Sequence, residues 1–213
     1  MIRPFALATL ALCVTLLGSA CNRAGFRIPG ASTDFPETFS GYRAVHPAGE
    51  AVALAPASDI RRAHYGERVS GTKWRACMTD SFGESGARVV EDRLAAELDR
   101  SGLFTTVVRG VPRTDGLVLR TEVRAFCAQA IGFFFVRVAG MTAVDVSLAR
   151  GDRVLWTRTV ERVVTDADPE YSGSSVGTIE QAMRRTMADS LRLAARDLLE
   201  SLDSLELASR SRE

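Results

Sequence analysis

Three stretches in the middle of the chain alternate apolar and polar residues. In "LVLRTEVRAF", 117–126, Leu117, Leu119, Thr121, Val123 and Ala125 fall on one side and Arg120, Glu122 and Arg124 on the other. "VRVAGMTAVDVSLA", 136–149, continues the pattern through Val144, Val146 and Leu148, and "RVLWTRTVERVV", 153–164, repeats it. Successive side chains of a strand point to opposite faces, so a period of two marks a strand with one buried and one wet face. Between the last two stretches, Arg150-Gly151-Asp152 leaves room for a tight hairpin only. The hairpin accounts for that tripeptide without an adhesive role. A meander of this kind cannot stand alone, because its apolar face needs a cover.

Two segments offer that cover. Ser85 to Arg100 reads as an amphipathic helix, with Val90, Leu94 and Leu98 at i, i+4 and i+8 and with Arg88, Glu91, Asp92, Glu97 and Arg100 on the other faces. Gly102 follows as a C-terminal stop. Residues 174–207 carry a long apolar stripe from Ile179 and Met183 through Leu191 and Leu198 to Leu205, with Thr178 and Gln181 as a capping box. "AVALAPA", 51–57, and "LFTTVV", 103–108, read as short strands. The expected fold is α+β. It is a two-layer sandwich of one mostly antiparallel sheet of four to five strands with two helices on one face, in β-α-β-β-β-α order. A single domain spans 51–207 and a polar tail 208–213.

The amino terminus is of another kind. Arg3 precedes an uncharged run, "PFALATLALCVTLLGSA", that ends in small residues directly before Cys21. This is a secretory signal, and it is shorter than the roughly 20 apolar residues of a membrane span. "LLGSAC" resembles the bacterial lipobox, with Gly18 where leucine is usual and Leu17 one step early. The resemblance implies cleavage after residue 20 and acylation of Cys21. The alternative is an ordinary signal cut after Ala20. Asn22 follows the cysteine, not the aspartate that retains many lipoproteins in the inner membrane, so the resemblance favours the periplasmic face of the outer membrane over the inner. Residues 21–50, with Pro29, Pro36, Pro47 and scattered glycines, read as a tether. Phe35, Phe39 and Tyr42 suggest that its second half docks on the domain.

Lys+Arg 27 against Asp+Glu 26 becomes an even balance once Arg3 leaves with the signal. A neutral protein has no general attraction to nucleic acid. Cys13 leaves with the signal and Cys21 is acylated, so Cys77 and Cys127 remain for an oxidising compartment, where they are expected to form one disulfide. The alternative is two buried thiols. Only His46 and His64 are present, and neither lies at ligand spacing from a cysteine, so no metal and no other cofactor is expected. H-E-x-x-H and a phosphate-cradling glycine loop are absent, the G-x-S-x-G match Gly173-Ser174-Ser175-Val176-Gly177 falls within the serine-rich turn before a helix, and no enzyme activity is expected. Asp166, Asp168 and Glu170 miss the spacing of a calcium loop. The serine-rich turn 172–177 reads as a helix cap.

A lipobox, a linker and a β-α-β-β-β-α domain resemble a group of small Gram-negative envelope lipoproteins. They include the lipopolysaccharide-assembly lipoprotein, the ABC-transporter auxiliary lipoproteins and lipoproteins with Asp-x-Arg after the first strand. "ALAPASDIRR" looks like that last pattern, with Asp59 and Arg61, and "CNRAGFRIPG" is similar to the start of the assembly lipoproteins. The resemblance implies a membrane-anchored, non-enzymatic accessory subunit of an envelope complex. The alternative is a carrier that binds a lipid or other apolar ligand itself. "AIGFFFVRVAG" supplies the candidate interface. Ile131 and Phe133 to Val136 are too apolar for both faces of a strand to hide unaided. Counting back from Val144 puts Phe134 inward and leaves Phe133 and Phe135 on the other face, where a partner or an internal cover is needed. Trp74 and Tyr65, in the long 58–84 loop, are the other candidate contacts.

Overall fold

The computed structural model describes residues 38–61, 85–110, 116–131, 137–166 and 176–207, with the backbone alone for Ile131, Val176 and Gly177. Six strands and two helices make up this part: β1 (Val52–Leu54), β2 (Ser58–Asp59), α1 (Gly86–Ser101), β3 (Val107–Arg109), β4 (Leu117–Ile131), β5 (Arg137–Arg150), β6 (Arg153–Asp166) and α2 (Val176–Asp203). The sheet order is β3-β1-β4-β5-β6, and β2 also pairs with β4. The long strands β4, β5 and β6 pair antiparallel, as their alternation requires, while β1 runs parallel to both β3 and β4 and β2 parallel to β4. The sheet is therefore mixed and six-stranded, not a mostly antiparallel one of four to five. α1 carries the chain over between β1 and β3, which lets the two point the same way. β1, β2 and β3 are three, two and three residues long, too short for a periodic signal.

Two register shifts interrupt the sheet, one that leaves Leu155 extra in β6 and one in β4 that divides its faces. Val123 pairs with Val144 and Ala125 with Ala143, so Arg124 is an extra residue in β4. A bulge of one residue exchanges the two faces of everything beyond it. Val123, Phe126 and Ala128 consequently join the core under the helices, whereas Ala125 turns to the second face with Cys127, Ala139, Met141 and Ala143. The sequence pattern had placed Ala125 with Val123. A period of two continues through an inserted residue without any visible break, so the pattern could not register the switch.

The core lies between sheet and helices. Val90, Leu94 and Leu98 of α1 and Leu191, Leu198 and Leu202 of α2 meet Leu119, Val146 and Leu148 of the sheet, all at most 2 % exposed. Burying one such side chain contributes about 1.5–3 kcal/mol. The close approach of α2 centres on Gly140 in β5, where a Cβ atom would lie 2.3 Å from the carbonyl carbon of Thr186. Nearby, the Thr142 and Ser190 hydroxyls lie 2.7 Å apart, both residues fully buried. Ser190 gives its single hydrogen to the Met187 carbonyl, so Thr142 is the donor of the pair.

α1 closes as expected, with Gly102 in the left-handed region at φ 68°. α2 is already helical at Val176, so Thr178 lies inside the helix and is not its cap. The hairpin turn places Gly151 at φ 54° between β5 and β6. Gly140→Ala should cost about 1–3 kcal/mol or more by forcing α2 off the sheet. Urea unfolding would register this as a lowered midpoint, whereas an alanine in place of exposed Arg158 should leave the midpoint within about 0.5 kcal/mol.

Candidate functional site

Residues 38–50 have no regular structure, yet they are fastened along their length. The Ala44 amide donates to the Ser101 carbonyl at 2.9 Å and the Ala48 amide to Leu103 at 2.7 Å. Ala48 is 5 % exposed and belongs to the core. The amide and hydroxyl of Ser40 both donate to Glu97, each at 2.6 Å. The Phe39 ring lies under two guanidinium groups, Arg100 at 3.5 Å and Arg93 at 4.6 Å from its centroid. Arg93 also donates to the Thr38 carbonyl at 2.6 Å. At the far end, Arg150 holds Glu50 at 2.5 Å. Phe39 and Tyr42 thus sit on the domain, and the second half of the presumed tether is a strap across the ends of both helices.

The centre of this strap is Asp203, the last residue of α2. Its carboxylate accepts hydrogen bonds from the Tyr42 hydroxyl at 2.6 Å and from the Val45 and His46 amides at 2.7 Å each. The His46 ring nitrogen Nδ1 is 3.7 Å from Oδ1. Asp203 is only 3 % exposed. A carboxylate at a helix C-terminus opposes the macrodipole, and burying it costs further free energy. Burial pushes its carboxyl pKa upward, but the Tyr42, Val45 and His46 bonds outweigh that and hold it below the usual range. Burial first, and then the hydrogen bond to Asp203, push the Tyr42 hydroxyl up to about 12, with the charge of Glu200 adding to the rise and that of Arg196 opposing it.

Helical periodicity had set Glu97 on the wet face of α1. It is 2 % exposed, because the strap covers that face. Glu91, elsewhere on α1, accepts the Ala57 amide at 2.9 Å. Asp59 and Arg61, the Asp-x-Arg pattern, form a local fork: Arg61 Nε donates to Oδ1 at 2.8 Å and Nη2 to Oδ2 at 2.5 Å. The Arg61 side-chain hydrogen bond holds the Asp59 carboxyl below its usual range against the opposing effect of burial. Arg61 is 8 % exposed and fills the space beside Gly86 at the start of α1, where a Cβ atom would meet Nη1 at 2.8 Å. The fork ties β2 to α1.

The face of the sheet away from the helices has two halves, divided at the bulge. Below it lies a shallow depression of about 440 Å³ lined by Arg120, Glu122, Asp145, Ser147, Thr157 and Thr159. Asp145 is saturated there by the Arg124 ion pair and by the Thr159 hydroxyl at 2.6 Å. Beyond the bulge, Ala125, Cys127, Ala139, Met141 and Ala143 are each at most 3 % exposed. The face read as wet is polar over one half only.

Cys21, Tyr65, Trp74, Cys77, Phe133 and Phe135 lie outside the described residues, as does Phe134. Cys127 stands on the apolar half of the second face. The inward phase runs unbroken from Val144 to Val138, with no register shift at Gly140. Asp166 pairs with Arg185, while Asp168 and Glu170 lie outside the description. Among the described residues no cluster of potential metal ligands occurs, and no helix is long and apolar enough to cross a membrane. Sequence reasoning missed Asp203 and misplaced Glu97. The one available signal was a lone acid between Leu202 and Leu205 at the end of an otherwise apolar stripe.

No family model matches the chain, and no curated protein matches it by sequence. A solved structure shares its fold, and others resemble it more loosely. A protein of family DUF330 from Xanthomonas campestris superposes with a TM-score of 0.57 at 16 % identity, over 84 % of this chain and 98 % of that one. The minor lipoprotein of Acinetobacter baumannii gives a TM-score of 0.45 at 14 % identity, over 73 % and 91 %. The rare lipoprotein B of Shewanella oneidensis gives 0.43 at 14 %, over 74 % and 98 %. At 16 % identity the first of these likenesses shows the fold alone.

One outcome follows from the site, and a second tests the disulfide expected from the sequence. Asp203 has a depressed carboxyl pKa, so its contribution is fully present above the unfolded value near 3.9 and is lost as pH falls through the folded value. Denaturation midpoints measured from pH 7 to pH 3 should converge for wild type and Asp203→Asn at the acid end and differ at neutral pH. Equal differences throughout would remove the ionised carboxylate from the account. Non-reducing peptide mapping of native protein should recover Cys77 joined to Cys127, and two freely alkylated thiols would exclude that bond.

Proposed function

We propose that the chain is a lipid-anchored periplasmic lipoprotein, held at the outer membrane by acylated Cys21, that serves as a non-enzymatic accessory subunit of a cell-envelope complex of the lipid- or lipopolysaccharide-transport type. The observation that carries the reading is the sequence "LLGSAC" after an uncharged run, placed about 16 residues ahead of a strap that is fastened to the domain. A single acyl chain binds membranes marginally and two or more bind stably, so a multiply acylated cysteine is a sufficient anchor. The fold shared with the DUF330 protein supports the architecture without naming a partner.

The first test is Cys21→Ser. Intact mass should lose the acyl chains, and the protein should move from the membrane fraction to the soluble periplasm. A variant as firmly membrane-bound as the wild type would overturn the anchor. The second test is cross-linking in intact cells followed by purification of the full chain. A stoichiometric envelope protein supports the subunit reading, whereas co-purified lipid with no protein partner replaces it with the carrier.

A further inference from the structure

β6 forms one margin of the sheet. It is 14 residues long, whereas β3 at the other margin has three. Among the described residues β6 pairs with β5 alone. We propose that its outer edge is the docking site for an extended, acidic segment of a partner protein, which joins the sheet as a further strand. The proposal deepens the accessory-subunit reading and rests on it, and it names the surface and the chemistry that meet the partner.

An edge strand turns unpaired amides and carbonyls outward. Long edges recruit other chains unless they are guarded by lysine, proline or a bulge. β6 has neither lysine nor proline. Its bulge, at Leu155, lies near the hairpin and leaves Trp156 to Asp166 in regular register with β5. Within that stretch Thr157, Arg158 and Thr159 are exposed in succession. Successive side chains point to opposite faces, so solvent reaches both faces there and the edge between them is open. Val146, which stands opposite Arg158 on β5, is only 2 % exposed. The strand is also rich in β-branched residues, from Thr157 and Thr159 to Val163, Val164 and Thr165, which suit a pleated surface.

Charge decides the occupant. Arg162 bonds Asp197 of α2 at 2.5 Å, Asp166 pairs with Arg185, and Glu161 is engaged as well. Arg153 and Arg158 are exposed and have no ion pair among the described residues. The unengaged charge of the strand is therefore positive. The acid beside it in sequence, Asp152, stands in the hairpin turn and not on the strand. A second copy of the chain joined through β6 would bring two further free arginines and no free acid, and like charges on paired strands are destabilising. An acidic segment neutralises both arginines. Its backbone bonds to β6 supply affinity, and its acidic side chains supply the preference.

The experiment uses the full chain in mild detergent with two synthetic probes, an octapeptide of alternating valine and glutamate and its counterpart with lysine for glutamate. Hydrogen exchange follows the amides of residues 153–166. The glutamate peptide should slow exchange there by about tenfold or more and leave β3 unchanged, and the lysine peptide should slow it by less than about twofold. Added salt should weaken the effect of the glutamate peptide. Arg153→Glu combined with Arg158→Glu alters exposed positions only and should reverse the preference between the peptides. No slowing by either peptide, equal slowing by both, or an unchanged preference in the double variant overturns the proposal. So does protection of β6 that appears without peptide and rises with protein concentration, which assigns the edge to a second copy. In intact cells, a photo-activated cross-linking residue in place of Thr157 should capture a stoichiometric envelope protein through an acidic segment of it, and the same residue in place of exposed Arg196 should not. A stoichiometric partner captured from Arg196 and not from Thr157 overturns the proposal and leaves the subunit reading standing. Co-purified lipid with no partner protein overturns both.

Discussion

The contact on which the remaining structure depends is the seating of α2 on β5. The three long strands present one apolar face, and a face of that size must be covered. α2 supplies the cover only because Gly140 has no side chain where the backbone of Thr186 and Met187 passes. At that distance the hydroxyl pair of Thr142 and Ser190 is closed off from water, and each polar group is satisfied by the other or by the helix. The helix then runs on across the sheet to its end at Asp203, where it meets the amino-terminal segment. The packing of one helix thus fixes both the core and the place where the chain before the domain is fastened.

The bulge at Arg124 has a second effect on the same sheet. It delivers Phe126 to the core and turns Ala125 and Cys127 outward. The outer face is thereby divided into a polar half, where Asp145 gathers Arg124 and Thr159, and an apolar half of small residues and Met141. A uniform face would serve one purpose. A divided one can remain wetted at one end while it buries a cysteine at the other.

The strap shows how polar residues on a helix acquire a structural role from chain that lies outside the helix. Glu97 and Asp203 are acids on the edges of amphipathic helices, where solvent is the ordinary neighbour. Both are buried, because backbone amides and hydroxyls from residues 40–46 replace the water. The three donors that converge on Asp203 hold its carboxyl below the usual range despite burial. An extended segment with several unused amides and a tyrosine is well suited to that task.

Much of the fold was legible in the residues. The alternation of β4, β5 and β6, the stripe from Met187 to Leu202, the Gly102 stop and the hairpin at Gly151 are local signals, set by backbone geometry and by the separation of apolar from polar side chains. The resemblance of "LLGSAC" to a lipobox likewise rests on a contiguous pattern. What the sequence alone could not determine involves pairings between distant residues. The parallel placement of β1 between β3 and β4 depends on three-residue strands with no period of their own. The face of Ala125 depends on where β5 sets the register. The burial of Glu97 and Asp203 depends on a strap that is 57 residues from one and 158 from the other. Local periodicity reports which side of an element is apolar. Only the tertiary structure decides what lies against the other side, because that choice is made by contacts whose partners are far apart in the chain.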